Sequence, residues 1–297
     1  MTTTKPWFDS ILQSRLDDKG RAWYASSADR IASGMDDAAF AGLISMASRF
    51  APRGRLTPSE VECAGAAKLL PGWKPERWTA LECLRIALLL SRTDLEQEGA
   101  QAAIEAVFEF ADDGELCAMY KSLAHLPQPE RFLLRAAEGC RTNIVPVFEA
   151  VACDTPYPVK QFDDIAWNQL CIKAIFIGAP LWRVHGLDTR LSSELARIAL
   201  DLVEERRSAG RDIQPELWLC VGKHGGERGI ESLEREIASS NTIGMRAASL
   251  GLARAGHTAR LAELLEGEAD DDRRAQMSAA LEGACDQTAF GDMNSGN

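Results

Sequence analysis

The chain has 297 residues, of which 46% are hydrophobic and 26% charged, a balance that supports a sizeable buried core in one large or two ordinary domains. Its formal net charge of −11 argues against a general affinity for nucleic acid or anionic lipid, so no nucleic-acid partner is expected. The longest apolar runs, LRIALLL from Leu84 and IFIGAPLW from Ile175, fall far short of the ~20 residues of a bilayer span. The stretch MTTTKPWFDS lacks the basic-then-apolar order of a secretory signal, and a cytoplasmic protein without a membrane span is expected.

In chain order the pattern is helical nearly throughout. From about 5 to 140, helices are joined by turns marked with Pro or Gly. Thr57-Pro58-Ser59-Glu60 reads as a helix start, with Thr57 as cap, Pro58 in the first turn and Glu60 at the capping-box position. Residues 75–92 place Trp78, Leu81, Cys83, Leu84, Leu88 and Leu89 at helical spacing, and the alanine-rich seam over 98–111 suits close packing. Further starts are expected at Asp94, Asp188, Thr242 and Thr258, and stops at Gly20, Gly34, Gly139, Gly210 and Gly256. The loop CDTPYPVKQFDD (153–164) is not expected to be regular helix throughout, and VGKHGGERG (221–229) reads as a flexible connection. Residues 229–267 read as three short amphipathic helices, loosely similar to HEAT-type repeats, and 286–297 is expected to fray.

The expected architecture is all-α, with antiparallel helix pairs stacked as an α-solenoid-like array and HEAT-like helices at the C-terminal end. The expected divisions are a helical domain over 1–222 containing a core block at 140–222, helical repeats over 223–285 and a tail over 286–297.

Motifs for chemistry are sparse. Eight dispersed cysteines form no CxxC and read as small buried hydrophobes, and the four histidines show no zinc-binding spacing. There is no GxSxG and no Walker-type loop. The acidic groups Asp112-Asp113, Asp163-Asp164 and Asp270-Asp271-Asp272 invite comparison with DDxxD magnesium sites, but the fifth position of DDIAW is Trp167. At helix starts such acids serve as caps and complement the helix dipole. No metal, cofactor or catalytic residue is expected.

The segment FDDIAWNQLCIKAIFIGAPL (162–181) is the one that needs explaining. Projected as a helix at about 100° per residue, Asn168, Gln169 and Lys173 share one sector of roughly 140° with Ile165, Ile172 and Phe176. Trp167, Leu170, Cys171, Ala174 and Ile177 cover most of the rest. This is no helix with one solvated face; its polar groups point into an interface or a pocket. Neighbouring segments offer partners: Arg141 and Asn143 in CRTN, Glu149 in PVFEAVA, and Arg183, Asp188 and Arg190 in LWRVHGLDTR. Two roles stay open, a polar network that ties loops to a central helix and a set of groups lining a small-molecule pocket.

The same block resembles the EboA family. Phe148-Glu149-Ala150, the Pro156-Tyr157-Pro158 loop, Ala166-Trp167-Asn168-Gln169 with Lys173, and Gly186-Leu187-Asp188 with Arg190 carry the resemblance. Thr155 stands where many members have Asn. Members are encoded in bacterial ebo-type operons and described as metabolite traffic proteins. The resemblance implies a part in moving a secondary-metabolite precursor, often terpenoid or aromatic, from the cytosol toward the envelope, and it transfers no catalytic residue. The expected function is a non-catalytic carrier or adaptor whose partners are a small-molecule metabolite and co-encoded biosynthetic or membrane proteins. The binding candidates are Arg141, Asn143, Glu149, Tyr157, Trp167, Asn168, Lys173, Arg183, Asp188 and Arg190. The alternatives are an all-α enzyme for an isoprenoid-type or aromatic substrate, and a pure interaction scaffold.

Overall fold

Helix starts in this chain are made by short acceptor side chains that satisfy the first free N–H groups. In the computed structural model, which describes residues 4–239, 241–291 and 293, Asp112, Asp163 and Asp270 each cap a helix in this way. Thr79 and Ser59 do the same within full capping boxes closed by Glu82 and Glu62. The cap expected at Thr57 therefore lies two residues later, and Thr57 itself has a positive φ of 43°. The expected helix over 75–92 is a 3-10 turn, Pro75–Arg77, followed by the helix Ala80–Leu89. The start expected at Asp94 lies at Glu98, because Asp94 is held by Arg92 at 2.7 Å.

The fold is all-helical, and no strand occurs among the described residues. Compactness divides the chain into Met1–Phe162 and Asp163–Asn297, whereas the boundary drawn from the sequence lay at 222/223.

In the first unit, Ala80–Leu89 is buried along its whole length and packs against Lys5–Arg15 and Asp113–Ser122. Trp7, Phe8, Trp73, Trp78 and His125 form an aromatic cluster beside it, with ring centroids 4.5 Å apart for Trp7–Trp73 and Trp73–His125. Gly20 does not end a helix. It sits in the first turn of Asp18–Ala32, where a Cβ would come within 2.5 Å of the Phe50 carbonyl oxygen. Only glycine permits that approach.

In the second unit, Thr242–Arg254 is the central element, buried along most of its length and packed against Gly226–Ile237 and Asp271–Glu282. The glycine-rich stretch expected to be a flexible connection is a tight helical corner. A 3-10 turn, Gly222–His224, leads directly into Gly226–Ile237, and a Cβ on Gly225 would meet Val221 at 2.5 Å. Gln287–Phe290, inside the stretch expected to fray, forms a 3-10 turn with Phe290 fully buried. Its Gln287 amide donates to the carbonyls of Trp182 at 2.7 Å and Val184 at 2.9 Å. Residues 292 and 294–297 of that stretch lie outside the described residues.

Candidate functional site

The helix Asp164–Ile177 is begun by Asp163, whose carboxylate accepts from the Ala166 N–H at 2.8 Å. It is ended by Gly178 in the left-handed region at φ 73°, where the Ala179 N–H returns to the Ala174 carbonyl at 2.9 Å. Between these limits Trp167, Leu170, Cys171, Ala174 and Ile175 are buried. The other face carries Ile165, Asn168, Gln169, Ile172, Lys173 and Phe176, at spacings of three and four, and opens on a groove. Glu194 and Ile198 of the neighbouring helix Ser193–Ser208 form the opposite wall, and the cavity measures about 440 Å³.

Asn168 is 7% exposed, and its side chain makes no hydrogen bond among the described residues. Its amide faces the groove and is not sealed from solvent, so it is available to a bound group. Gln169 lies beside it at the exposed edge. Lys173 holds its ammonium 5.6 Å from the Phe176 ring centroid, so cation and aromatic face are presented together. Glu194 is kept below the usual carboxylate range by its hydrogen bonds to Arg197, 2.7 Å away, so it remains an anion at the mouth. Ile165 and Phe176 remain 70% and 71% exposed, an apolar rim that water alone covers in this chain. The lining thus combines apolar surface with two amides and one charge of each sign, the composition of a ligand pocket.

The remaining candidates have different settings. Trp167 is buried on the opposite face of the helix, with the Arg190 guanidinium 4.7 Å above its ring and the Trp167 indole N–H without a protein acceptor among the described residues. Arg190 also reaches Asp164 at 2.7 Å, which ties the 187–190 turn to the first turn of the groove helix. Arg183 sits half-buried in the 3-10 turn Leu181–Arg183. Asp188, expected to begin a helix, does not. It lies in a 3-10 turn, Leu187–Thr189, accepts from Arg254 and from the Gln287 N–H at 3.2 Å, and fastens the C-terminal turn.

Four candidates belong to the other unit. Arg141 and Asn143 are exposed in the turn before Val145–Ala152, and Glu149 is half-buried on that helix. Tyr157 is buried, donates to the Pro129 carbonyl at 2.9 Å, and has its hydroxyl pKa pushed up by burial. That is the setting of an anchored core tyrosine. Of the candidates, the structure therefore brings Asn168 and Lys173 together at the groove, with the Trp167–Arg190 pair on the other side of the same helix.

Gln169, Glu194 and Ile198 complete the groove although sequence reasoning did not select them. Gln169 was visible in the helical sector. Glu194 and Ile198 are a residue pair four apart on a different helix, and only tertiary packing shows that they face it. The acidic groups once compared with magnesium motifs are the caps of three helices, and no group of three metal-ligating side chains occurs among the described residues.

Comparison with known proteins agrees with the motif reading. A family model described as metabolite traffic protein EboA matches residues 4–222. No curated protein and no solved structure matches the chain.

Proposed function

Since the chain belongs to the EboA family, we propose that it is a non-catalytic helical carrier or adaptor that holds a secondary-metabolite precursor on its way from the cytosol toward the envelope. The groove over Asp164–Ile177 is the cargo's seat. One observation carries the reading: Asn168, 7% exposed and without a hydrogen bond among the described residues, lines a cavity of about 440 Å³. A bound polar group would satisfy that amide while Ile172, Phe176 and Ile198 cover an apolar body.

The test is native mass spectrometry of the protein purified from its producing strain, beside an Asn168→Ala/Lys173→Met variant. A small-molecule adduct on the parent, absent from a folded variant, is the expected result. Equal adducts on both would remove the groove from the reading.

A second reading, a scaffold that docks a co-encoded protein, is favoured by the exposed Ile165 and Phe176 at the rim. It would be marked by a bare mass together with a stoichiometric protein partner that Phe176→Ser releases.

A further inference from the structure

Arg85 is the one cation inside the buried helix Ala80–Leu89, and it is 3% exposed. A guanidinium has five N–H donors to satisfy. Here Nε donates to the Ile44 carbonyl at 3.1 Å and Nη2 reaches Glu115 at the long distance of 3.4 Å. Nη1 makes no hydrogen bond among the described residues. Burial also works against the charge, pulling the Arg85 pKa down. Nη1 is not sealed in the core but opens on a cavity, so this cation keeps a donor for whatever enters there.

What stands in front of Nη1 is space. Arg85 lines a cavity of about 620 Å³ within the first unit, together with Gly114 and Cys117 on the helix Asp113–Ser122. A Cβ on Gly114 would lie 3.6 Å from Nη1, in ordinary contact, so Gly114 stands directly beside the guanidinium in the cavity wall. The charges around the cavity are not equally available. Glu82 is engaged by Lys121 at 2.5 Å, and Asp112 accepts from the Glu115 N–H at 2.7 Å as a helix cap. At the mouth, Arg53 and Asp113 are exposed, and neither side chain makes a hydrogen bond among the described residues.

From these groups we infer that the cavity binds a small zwitterion of the α-amino-acid type, its carboxylate on Arg85 and Arg53 and its ammonium on Asp113. A lone anion would face the unengaged Asp113, with Glu82 and Asp112 also in the wall, and a lone metal cation would face the buried guanidinium. A ligand carrying both charges meets both conditions. Leu81 and the neutral Cys117 thiol, its pKa raised to about 11 by burial, supply an uncharged surface for the rest of the molecule. This site is separate from the groove and does not depend on the carrier reading.

Calorimetric titration of the full chain with the common α-amino acids tests the inference. The one-charge controls are 4-methylpentanoate and 3-methylbutylamine, the two halves of leucine. At least one amino acid is expected to bind at least tenfold more tightly than either control. Asp113→Asn should reduce that preference several-fold, and Gly114→Leu should abolish binding while the thermal midpoint stays close to the parent's. Asn168→Ala should leave binding unchanged. No binding by any amino acid at millimolar concentration, equal binding of the one-charge controls, or full binding by a folded Gly114→Leu would overturn the assignment.

Discussion

The helices Ala80–Leu89 and Asp164–Ile177 are both apolar runs interrupted by polar side chains, and Glu82 of the first and Asn168 of the second are treated differently. In Ala80–Leu89, Glu82 closes a capping box with Thr79 and pairs with Lys121 at 2.5 Å, with both side chains at most 15% exposed. In Asp164–Ile177, Asn168 is about as buried but makes no hydrogen bond among the described residues, and it opens on a groove rimmed by exposed Ile165 and Phe176. Polarity within an apolar helix therefore does not by itself distinguish structure from recognition. What distinguishes them is whether the partner is supplied by the same chain.

The largest effect should come from breaking the satisfied side of this comparison. Glu82→Ala removes the capping box and leaves the Lys121 ammonium, 15% exposed, beside an empty position. Removing one partner of such a pair typically costs about 3–5 kcal/mol, read as a lower midpoint in chemical denaturation. Asn168→Ala should cost well under half of that, because no intramolecular bond is lost. Equal losses in the two variants would mean that the contrast between Glu82 and Asn168 is false.

A smaller effect concerns pH. His125 is enclosed by Phe8, Trp73 and Trp78, and burial lowers its pKa to about 3, whereas the unfolded chain protonates it near the ordinary value of about 6.5. Between these values the unfolded state binds a proton that the folded state does not. Its contribution to stability is present above pH ~6.5 and is lost as the pH falls toward 3, reaching about 2 kcal/mol by pH ~5. Denaturation midpoints of the parent should fall over that interval, and those of His125→Phe should fall less. Parallel pH profiles would show that the aromatic cluster does not hold His125 neutral.

Much of this was legible in the sequence where local chemistry decides the outcome. ADDGEL and ADDDRRA read as helix starts and are capped by Asp112 and Asp270. The sector from Ile165 to Phe176 is a matter of helical geometry alone, and it is the sector that lines the groove. Illegible features depend on contacts distant in sequence. Gly20 resembled a stop because nothing local discloses the Phe50 carbonyl oxygen 2.5 Å from its would-be Cβ. Asp188 resembled a helix start because its partners, Arg254 and Gln287, lie 66 and 99 residues away. The tail read as weakly patterned because one buried aromatic, Phe290, anchors it, and a single residue makes no periodicity. Arg85 left a local trace, as the only charge in LRIALLL, but its idle Nη1 could be seen only beside Gly114.

A small expected change in stability is the most informative about the groove. Asn168→Leu exchanges an unpaired amide for an apolar group of similar size, in a position lined by Ile172 and Ile198. If the amide serves a ligand, the free protein has nothing to lose. No intramolecular hydrogen bond is lost and apolar surface is added against Ile172 and Ile198, so stability should be unchanged or rise by up to about 1 kcal/mol. The same substitution should eliminate the small-molecule adduct, because the group that recognises it is gone. Gln169→Ala at the exposed edge should move stability by no more than about 0.5 kcal/mol. A folded Asn168→Leu that is less stable than the parent by more than about 1 kcal/mol would show that the amide is held within the protein, and the groove would then be part of the architecture. Gain of stability with loss of cargo is the signature of a residue kept for binding at the expense of the empty fold.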